Sequence, residues 1–248
     1  MKKLLLGSVA LFALNVGSPA VAADMPVKYK APPPVYTWTG CYGGGFVGYS
    51  AGKARVDYGA NVLGIVPGTE ATNGEIHLSG ATGGFDLGCQ YQAGWWLIGV
   101  EVDAAAINKD GQDIETLFPA FRLQVHETWL ATARIRLGYA ADKWLFYVTG
   151  GGAWARFDVS NWVPGSAINT HDVRRVGGWT AGAGWEYALG YGWSLKSEFL
   201  YVDFGTKTYL SPADPISGAA YDVRVREYIY RVGLNYKFDW YTPVVAKY

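Results

Sequence analysis

Eight separate runs of this chain alternate between two kinds of side chain with a period of two. The last run, "YIYRVGLNYKF" from Tyr228 to Phe238, is the most regular. Counting back from Phe238 gives Tyr236, Leu234, Val232, Tyr230 and Tyr228 on one face, and Lys237, Asn235, Gly233, Arg231, Ile229 and Glu227 on the other. A period of two belongs to a strand. The pattern predicts strands over Trp38–Gly52, His77–Tyr91, Trp95–Ile107, His126–Tyr139, Trp144–Asp158, Arg174–Leu189, Trp193–Phe204 and Val223–Phe238. Tight gaps at Gln92–Gly94, Ala140–Lys143 and Gly190–Gly192 are of hairpin size and built from turn-forming residues. They alternate strictly with long gaps, about Lys53–Ile76, Asn108–Val125, Val159–Val173 and Gly205–Asp222. The upward strands open on Trp38, Trp95, Trp144 and Trp193, so one hairpin plus its long loop repeats along the chain. This is an antiparallel meander with its short turns at one end and its long loops at the other.

Period two does not say which face meets water, because a soluble barrel with an apolar pocket would also alternate. A soluble barrel, however, must carry dense charge along one face of every strand. Here that face is sparse and small: Thr82, Gly84, Asp86, Gly88 and Gln90 in the second run, Thr180, Gly182, Gly184, Glu186 and Ala188 in the sixth. The opposite face carries Trp96, Ile98, Val100, Val102 and Ala104, then Trp129, Ala131, Ala133, Ile135, Leu137 and Tyr139. Aromatic residues gather at the strand ends, with Trp95, Trp96, Tyr139, Trp144, Tyr187, Trp193 and Tyr236 near the short turns and Trp129, Trp154 and Trp179 nearer the long loops. Two such belts are the mark of two membrane interfaces. An unpaired edge in hydrocarbon would leave backbone groups unsatisfied at several kcal/mol each. The first strand must therefore pair with the eighth, giving an all-β, eight-stranded antiparallel up-and-down transmembrane barrel over residues 38–238.

The rest of the chain fits an exported protein. Residues 1–23 read as a secretory signal peptide, with Lys2 and Lys3, an apolar run from Leu4 to Val16, and small residues ending at Ala23. Residues 24–37, with three consecutive prolines, read as a periplasmic tether, and 239–248, interrupted by Pro243, as a periplasmic tail. Hydrophobic residues make up 50% and charged residues 17%, with 33 Gly, 18 Tyr and 11 Trp, a composition suited to strands and turns. The 21 basic and 21 acidic side chains cancel, which argues against a nucleic-acid partner.

Arg231-x-Gly233-x-x-Tyr236-x-Phe238 resembles the carboxy-terminal assembly signal of bacterial outer-membrane barrels. With "WTGCYGGGFVGYSAG", "GGFDLGCQYQ" and "WLFYVTGGGAWA", the span from Trp38 to Phe238 is similar to the porin-like outer-membrane proteins of alphaproteobacteria, the Omp25/Omp31 group. The resemblance implies a Gram-negative outer-membrane location and a last strand read by the barrel assembly machinery. One departure is that "DWYTPVVAKY" follows Phe238, where the family signal usually ends on an aromatic residue.

Inward positions bring Glu101 and Asp103 opposite Arg134 and Arg136, with Asp86, Glu186, Lys196, Glu198 and Arg231 on the same side of the wall. Eight strands enclose just enough room for side chains to fill, so this set reads as an ion-paired plug, with a narrow pore for small polar solutes as the alternative. Arginines beside the carboxylates disfavour acid catalysis, and no enzyme is expected. His77, His126 and His171 share no ligand spacing, so neither a metal nor a cofactor is expected. "GGGFVG" fits a dinucleotide fingerprint in form, but no helix follows it; its glycines instead make room for bulky inward residues from facing strands. Cys41 and Cys89 lie at equal height on neighbouring strands, which makes a disulfide plausible in an oxidising compartment, the alternative being two small lipid-facing side chains. Arg122, Arg156, Arg174, Arg175, Arg224 and Arg226 gather where strands leave the membrane and are candidate contacts for lipopolysaccharide phosphates, solvated loop charge being the alternative. The expected role is that of a monomeric, structural, loop-presenting barrel in contact with outer-membrane lipid, with porin and adhesin as the other readings.

Overall fold

The computed structural model describes residues 36–58, 69–71, 75–114, 120, 122–165, 169–210 and 220–238. The signal segment, the tether up to residue 35 and the tail from 239 lie outside these residues. Eight strands follow one another: β1 (Gly40–Tyr58), β2 (Ile76–Ala93), β3 (Trp96–Ile114), β4 (Arg122–Ala141), β5 (Trp144–Trp162), β6 (Asn169–Gly190), β7 (Trp193–Leu210) and β8 (Ala220–Phe238). Each pairs antiparallel with its sequence neighbour, and β1 closes on β8 from Cys41 opposite Phe238 to Tyr58 opposite Tyr221. The tight turns sit where the sequence places them, and Asp142 and Tyr191 take left-handed φ angles of 53° and 52° there.

The strands are longer than the alternating runs, at 18 to 22 residues. A tilted strand crosses the apolar layer in roughly 9–11 residues. About half of the wall therefore stands outside the membrane on the long-loop side, formed by residues that the sequence pattern assigns to loops. The two faces exchange character along each strand. In the lower part of β1 the inward residues include Tyr42, Gly44, Ser50 and Gly52, while Val47 and Tyr49 are exposed on the outer wall. Above Gly52 the inward residues are Ala54 and Val56, both buried, and the outward ones are Lys53, Arg55 and Asp57. β8 does the same, with Val223 and Val225 inside, Arg224 and Arg226 outside, then Tyr228 to Phe238 outside and Arg231 and Asn235 inside. The change follows the solvent: the lower wall faces lipid and the upper wall faces water.

The interior has two chemistries as a result. The upper half holds an apolar core that includes Val56, Ile76, Leu78, Ile107, Val125, Phe157, Val202, Phe204 and Val225. Phe157 and Phe204 meet edge to face at 5.2 Å, a favoured aromatic geometry. The lower half holds charges. Gly44 illustrates the space that this requires, because a Cβ there would fall 2.0 Å from Asn235 Oδ1 and 2.8 Å from Asp86 Oδ1. β-Bulges interrupt the register in β4 between Glu127 and Trp129 and in β7 between Asp203 and Thr206, where Gly205 takes φ 64°.

Trp38 is not the first residue of β1. It lies within the short-turn mouth, 2% exposed, among Leu97, Ala140, Leu145, Tyr147 and Ala188. Its backbone N–H donates to Gln92 Oε1 at 2.9 Å, its indole N–H to the Asp142 carbonyl at 3.3 Å, and its own carbonyl accepts from Gln90 Nε2 at 3.0 Å. Lys237 Nζ donates to the Thr37 carbonyl at 2.6 Å, which holds the segment before the first strand to the end of the last.

Cys41 and Cys89 are direct cross-strand partners and their sulfurs are bonded, closing a separation of 48 residues. The bridge lies on the outer wall, one row from the short-turn end. Heat-denatured protein should migrate faster on non-reducing than on reducing gels, and Cys89→Ser should abolish that difference and lower barrel stability by roughly 2–4 kcal/mol, read from urea unfolding in micelles. Identical mobility with and without reductant would contradict the bond.

Candidate functional site: the lumen and the outer wall

The inward residues read from the sequence come together as one network. Asp86, Glu101, Asp103, Arg134, Arg136, Glu186, Lys196, Glu198 and Arg231 are all buried. Glu101 lies near the centre: Arg134 bonds one of its oxygens, while Lys196 Nζ at 2.8 Å and Arg136 Nη1 at 3.2 Å reach the other. Lys196 also bonds Asp86 at 2.6 Å. Arg231 grips Asp103 at 3.0 Å through Nη1 and Glu198 at 2.6 Å through Nε, and Arg134 reaches the same two carboxylates at 2.9 and 3.0 Å. Arg136 bonds Glu186 through Nη2. Every basic group thus touches at least two carboxylates, which is what burial of charge requires.

Neutral residues that the sequence reading did not single out complete the layer. Tyr42 donates to Glu101 at 2.6 Å and accepts from Arg136, and Tyr147 donates to Glu198 at 3.0 Å. The Arg136 guanidinium stacks 3.8 Å from the Tyr147 ring centroid, and the Arg231 guanidinium lies 4.3 Å from that of Phe46. Inward parity alone points to Tyr42 and Tyr147. Partner identity across the lumen does not follow from parity, because it depends on the shear of the closed barrel.

A second buried cluster lies higher. Lys109 Nζ sits 2.5 Å from Glu127 and 2.8 Å from Glu227, all three side chains at 0% exposure, with Ser50 Oγ accepting from Lys109 at 3.1 Å. The bulge beside Thr128 hides this cluster from the sequence, since it brings Glu127 to the inner face out of step with Leu130, Thr132 and Arg134.

Of the six arginines chosen as lipopolysaccharide contacts, five lie on the outer wall: Arg122, Arg156, Arg175, Arg224 and Arg226. Arg174 must be corrected. It shares the inner face with its partner Phe157, 5.2 Å from the Tyr209 ring centroid and bonded to Asp172 at 3.0 Å. Burial there pushes the Tyr209 hydroxyl up to about 12, against the pull of Arg174. Outside β1 and β8, Lys53, Arg55, Asp57, Glu75, Thr206, Arg224, Arg226 and Tyr228 line a groove of about 500 Å³. A hydrogen bond from Lys53 holds the Glu75 carboxyl below the ordinary carboxylate range. His77 and His126 point outward, and His126 contacts Asp110.

Replacing Arg231 by Leu should strand Asp103 and Glu198 and cost roughly 3–5 kcal/mol, seen as a lower urea midpoint in micelles, with Glu198→Gln in the same chain recovering part of the loss. An unchanged midpoint would mean that these charges do not depend on one another.

The sequence pattern of the family described as "Outer membrane protein beta-barrel domain" matches residues 9–238. The "31 kDa outer-membrane immunogenic protein" of Brucella melitensis is 31% identical over 255 residues, covering 96% of this chain and 100% of that protein. The "25 kDa outer-membrane immunogenic protein" of the same organism is 28% identical, covering 96% and 99%. Among solved structures, OprG of Pseudomonas aeruginosa superposes with a TM-score of 0.54 at 15% identity, covering 81% of this chain and 96% of that one. The Escherichia coli outer-membrane protease OmpT superposes at 0.52 with 9% identity, covering 83% and 99%; at that identity the likeness speaks for the fold alone. With a family match over nearly the whole span and eight strands closed into a lipid-facing barrel, the chain belongs to the outer membrane protein beta-barrel family of Gram-negative bacteria.

Proposed function

We propose that the protein is a sealed, monomeric structural barrel that ties the outer membrane together and presents its loops at the cell surface, without conducting solutes and without enzymatic activity. The observation that carries this reading is an interior filled at three heights. Trp38 occupies the short-turn mouth, the nine-charge layer lies above it, and the apolar core around Phe157 and Phe204 fills the half that stands out of the membrane. Water would have to displace all three to pass. The lumen carboxylates are bound by arginine and lysine and buried, which takes them out of reach of a substrate. The Brucella relatives are named immunogenic, which supports surface exposure of the loops in this chain also.

Lipopolysaccharide is the lipid partner on this reading, met by the basic residues of the outer wall above the lipid belt. The barrel assembly machinery is the second partner, through Arg231, Gly233, Tyr236 and Phe238. Tyr236 and Phe238 lie outward on β8, their rings 5.6 Å apart, whereas Arg231 is committed to the inner charge layer.

Refolded wild-type protein in planar bilayers should be silent at voltages that open porins, and discrete single-channel openings in the wild type would overturn the sealed-barrel reading in favour of the narrow porin. Phe238→Ala should lower the amount of heat-modifiable barrel in the outer membrane several-fold; wild-type levels would remove the assembly role.

A further inference from the structure

The pairing of β1 with β8 sets like charges against each other on the outer wall. Lys53 lies directly opposite Arg226, and Arg55 directly opposite Arg224. Cross-strand pairs of equal sign destabilise an antiparallel ladder; toward the lipid the same rows continue without charge, Ala51 opposite Tyr228 and Tyr49 opposite Tyr230, and on the other side an acidic pair follows, Asp57 opposite Asp222. The four side chains are between 42% and 53% exposed. They line one groove together with Asp57, Glu75, Thr206 and Tyr228.

Each of the four has an acidic neighbour, and Arg55 Nε donates to Asp57 at 3.1 Å. Glu75 and Glu70 are themselves half-exposed on Lys53 and Arg55, and exposed pairs of that kind are weak and easily exchanged. Asp203 lies beneath Arg224 at 2.9 Å and is only 3.6 Å from Arg226. Among the described residues the Arg226 side chain makes no hydrogen bond beyond its 3.6 Å approach to Asp203, so its guanidinium, with five N–H donors, has capacity left. Two rows of cations two residues apart stand roughly 7 Å from each other along the strand, close enough for side chains of both rows to reach one phosphate group. The height fits as well, because the nearer row lies one step above Tyr228, whose ring is exposed on the lipid-facing wall.

We propose that Lys53, Arg55, Arg224 and Arg226 form a binding site for the phosphate groups of an outer-leaflet glycolipid. This rests on the lipopolysaccharide reading above and goes further by naming the site, adding Lys53 and Arg55 and setting Arg174 aside. The guanidinium groups supply paired N–H donors to phosphate oxygens, Lys53 supplies a point charge, and Tyr228 packs on the first carbons of the acyl chains.

The test uses refolded full-length protein in phosphatidylcholine nanodiscs carrying a small fraction of a bisphosphorylated acyl-disaccharide glycolipid, with retention read by native mass spectrometry. The same glycolipid stripped of phosphate forms a second arm and inorganic pyrophosphate in solution a third. The wild type should retain the bisphosphorylated lipid at least about tenfold better than the stripped one. Arg226→Gln, and more strongly Lys53→Gln with Arg226→Gln, should remove that preference, while Lys143→Gln at the opposite end leaves it intact. Equal retention of both glycolipids would overturn the phosphate site yet keep glycolipid association, and retention of neither would take the broader reading with it. Pyrophosphate displacing the lipid at equal concentration would make this a soluble-anion site and overturn the lipid assignment. The wild-type arms decide the matter even where a variant fails to fold.

Discussion

Closure of the ladder between the first and last strands is the constraint on which the rest of this structure depends. Hydrocarbon offers no partner for a backbone N–H or C=O, so the pairing of Cys41 through Tyr58 with Phe238 through Tyr221 has to run unbroken across the membrane. Closing at eight strands fixes the width, and that width leaves room for side chains but little else. From this follow the density of glycine on the inner face, the contact between residues far apart in sequence such as Arg231 and Asp103, and the absence of any need for a separate plug domain.

What fills the interior is decided by height. At membrane level the outer wall must be apolar, and strict alternation then leaves the inner face for polar residues, which are satisfied by one another. Arg134, Arg136, Lys196 and Arg231 each bridge carboxylates from other strands, so the layer staples the barrel across its diameter as the ladder does around its circumference. Above the membrane the outer wall meets water and can carry charge. The inner face is then free to build a hydrophobic core of the kind found in water-soluble barrels. The protein is in effect two barrels of opposite polarity sharing eight continuous strands.

That exchange of polarity also sets what could be read from the sequence. Strand number, order, turn positions, closure and the inner charges were legible because hydrophobic alternation against lipid is a one-dimensional signal, and Glu101, Asp103, Arg134 and Arg136 follow from parity alone. The upper halves of the strands were not legible. Lys53 to Tyr58 alternates as regularly as the run before it, yet with its charges on the other face, and so it resembles a loop to a reader who follows one face. Parity carried across a bulge fails for the same reason: the extra residue at Thr128 brings Glu127 inward, and Lys109 and Glu227 then appear isolated in sequence although they share one cluster. By analogy with Trp144 and Trp193, which begin their strands, the sequence points to Trp38 as the first residue of β1, whereas its indole is turned into the mouth, and Trp95 lies in the turn one residue before β3. Repetition in sequence established the unit but not the exception at its start.

A wall that rises well above the lipid has a consequence for how its loops are held. If strands ended at the headgroups, each long connection would leave the membrane as a free segment. Here the loops depart from the rim of a packed core, where Tyr209, Phe204 and Val223 are buried and Arg174 is braced by Asp172, Tyr209 and the Thr208 carbonyl. Their ends are therefore fixed relative to one another, which limits the entropy lost when they engage a surface. The same height exposes a band of outer wall between lipid and loop, and it is there that like-charged residues face each other. Part of that repulsion is offset within the wall itself, by Glu75 on Lys53, Asp57 and Glu70 on Arg55, and Asp203 on Arg224.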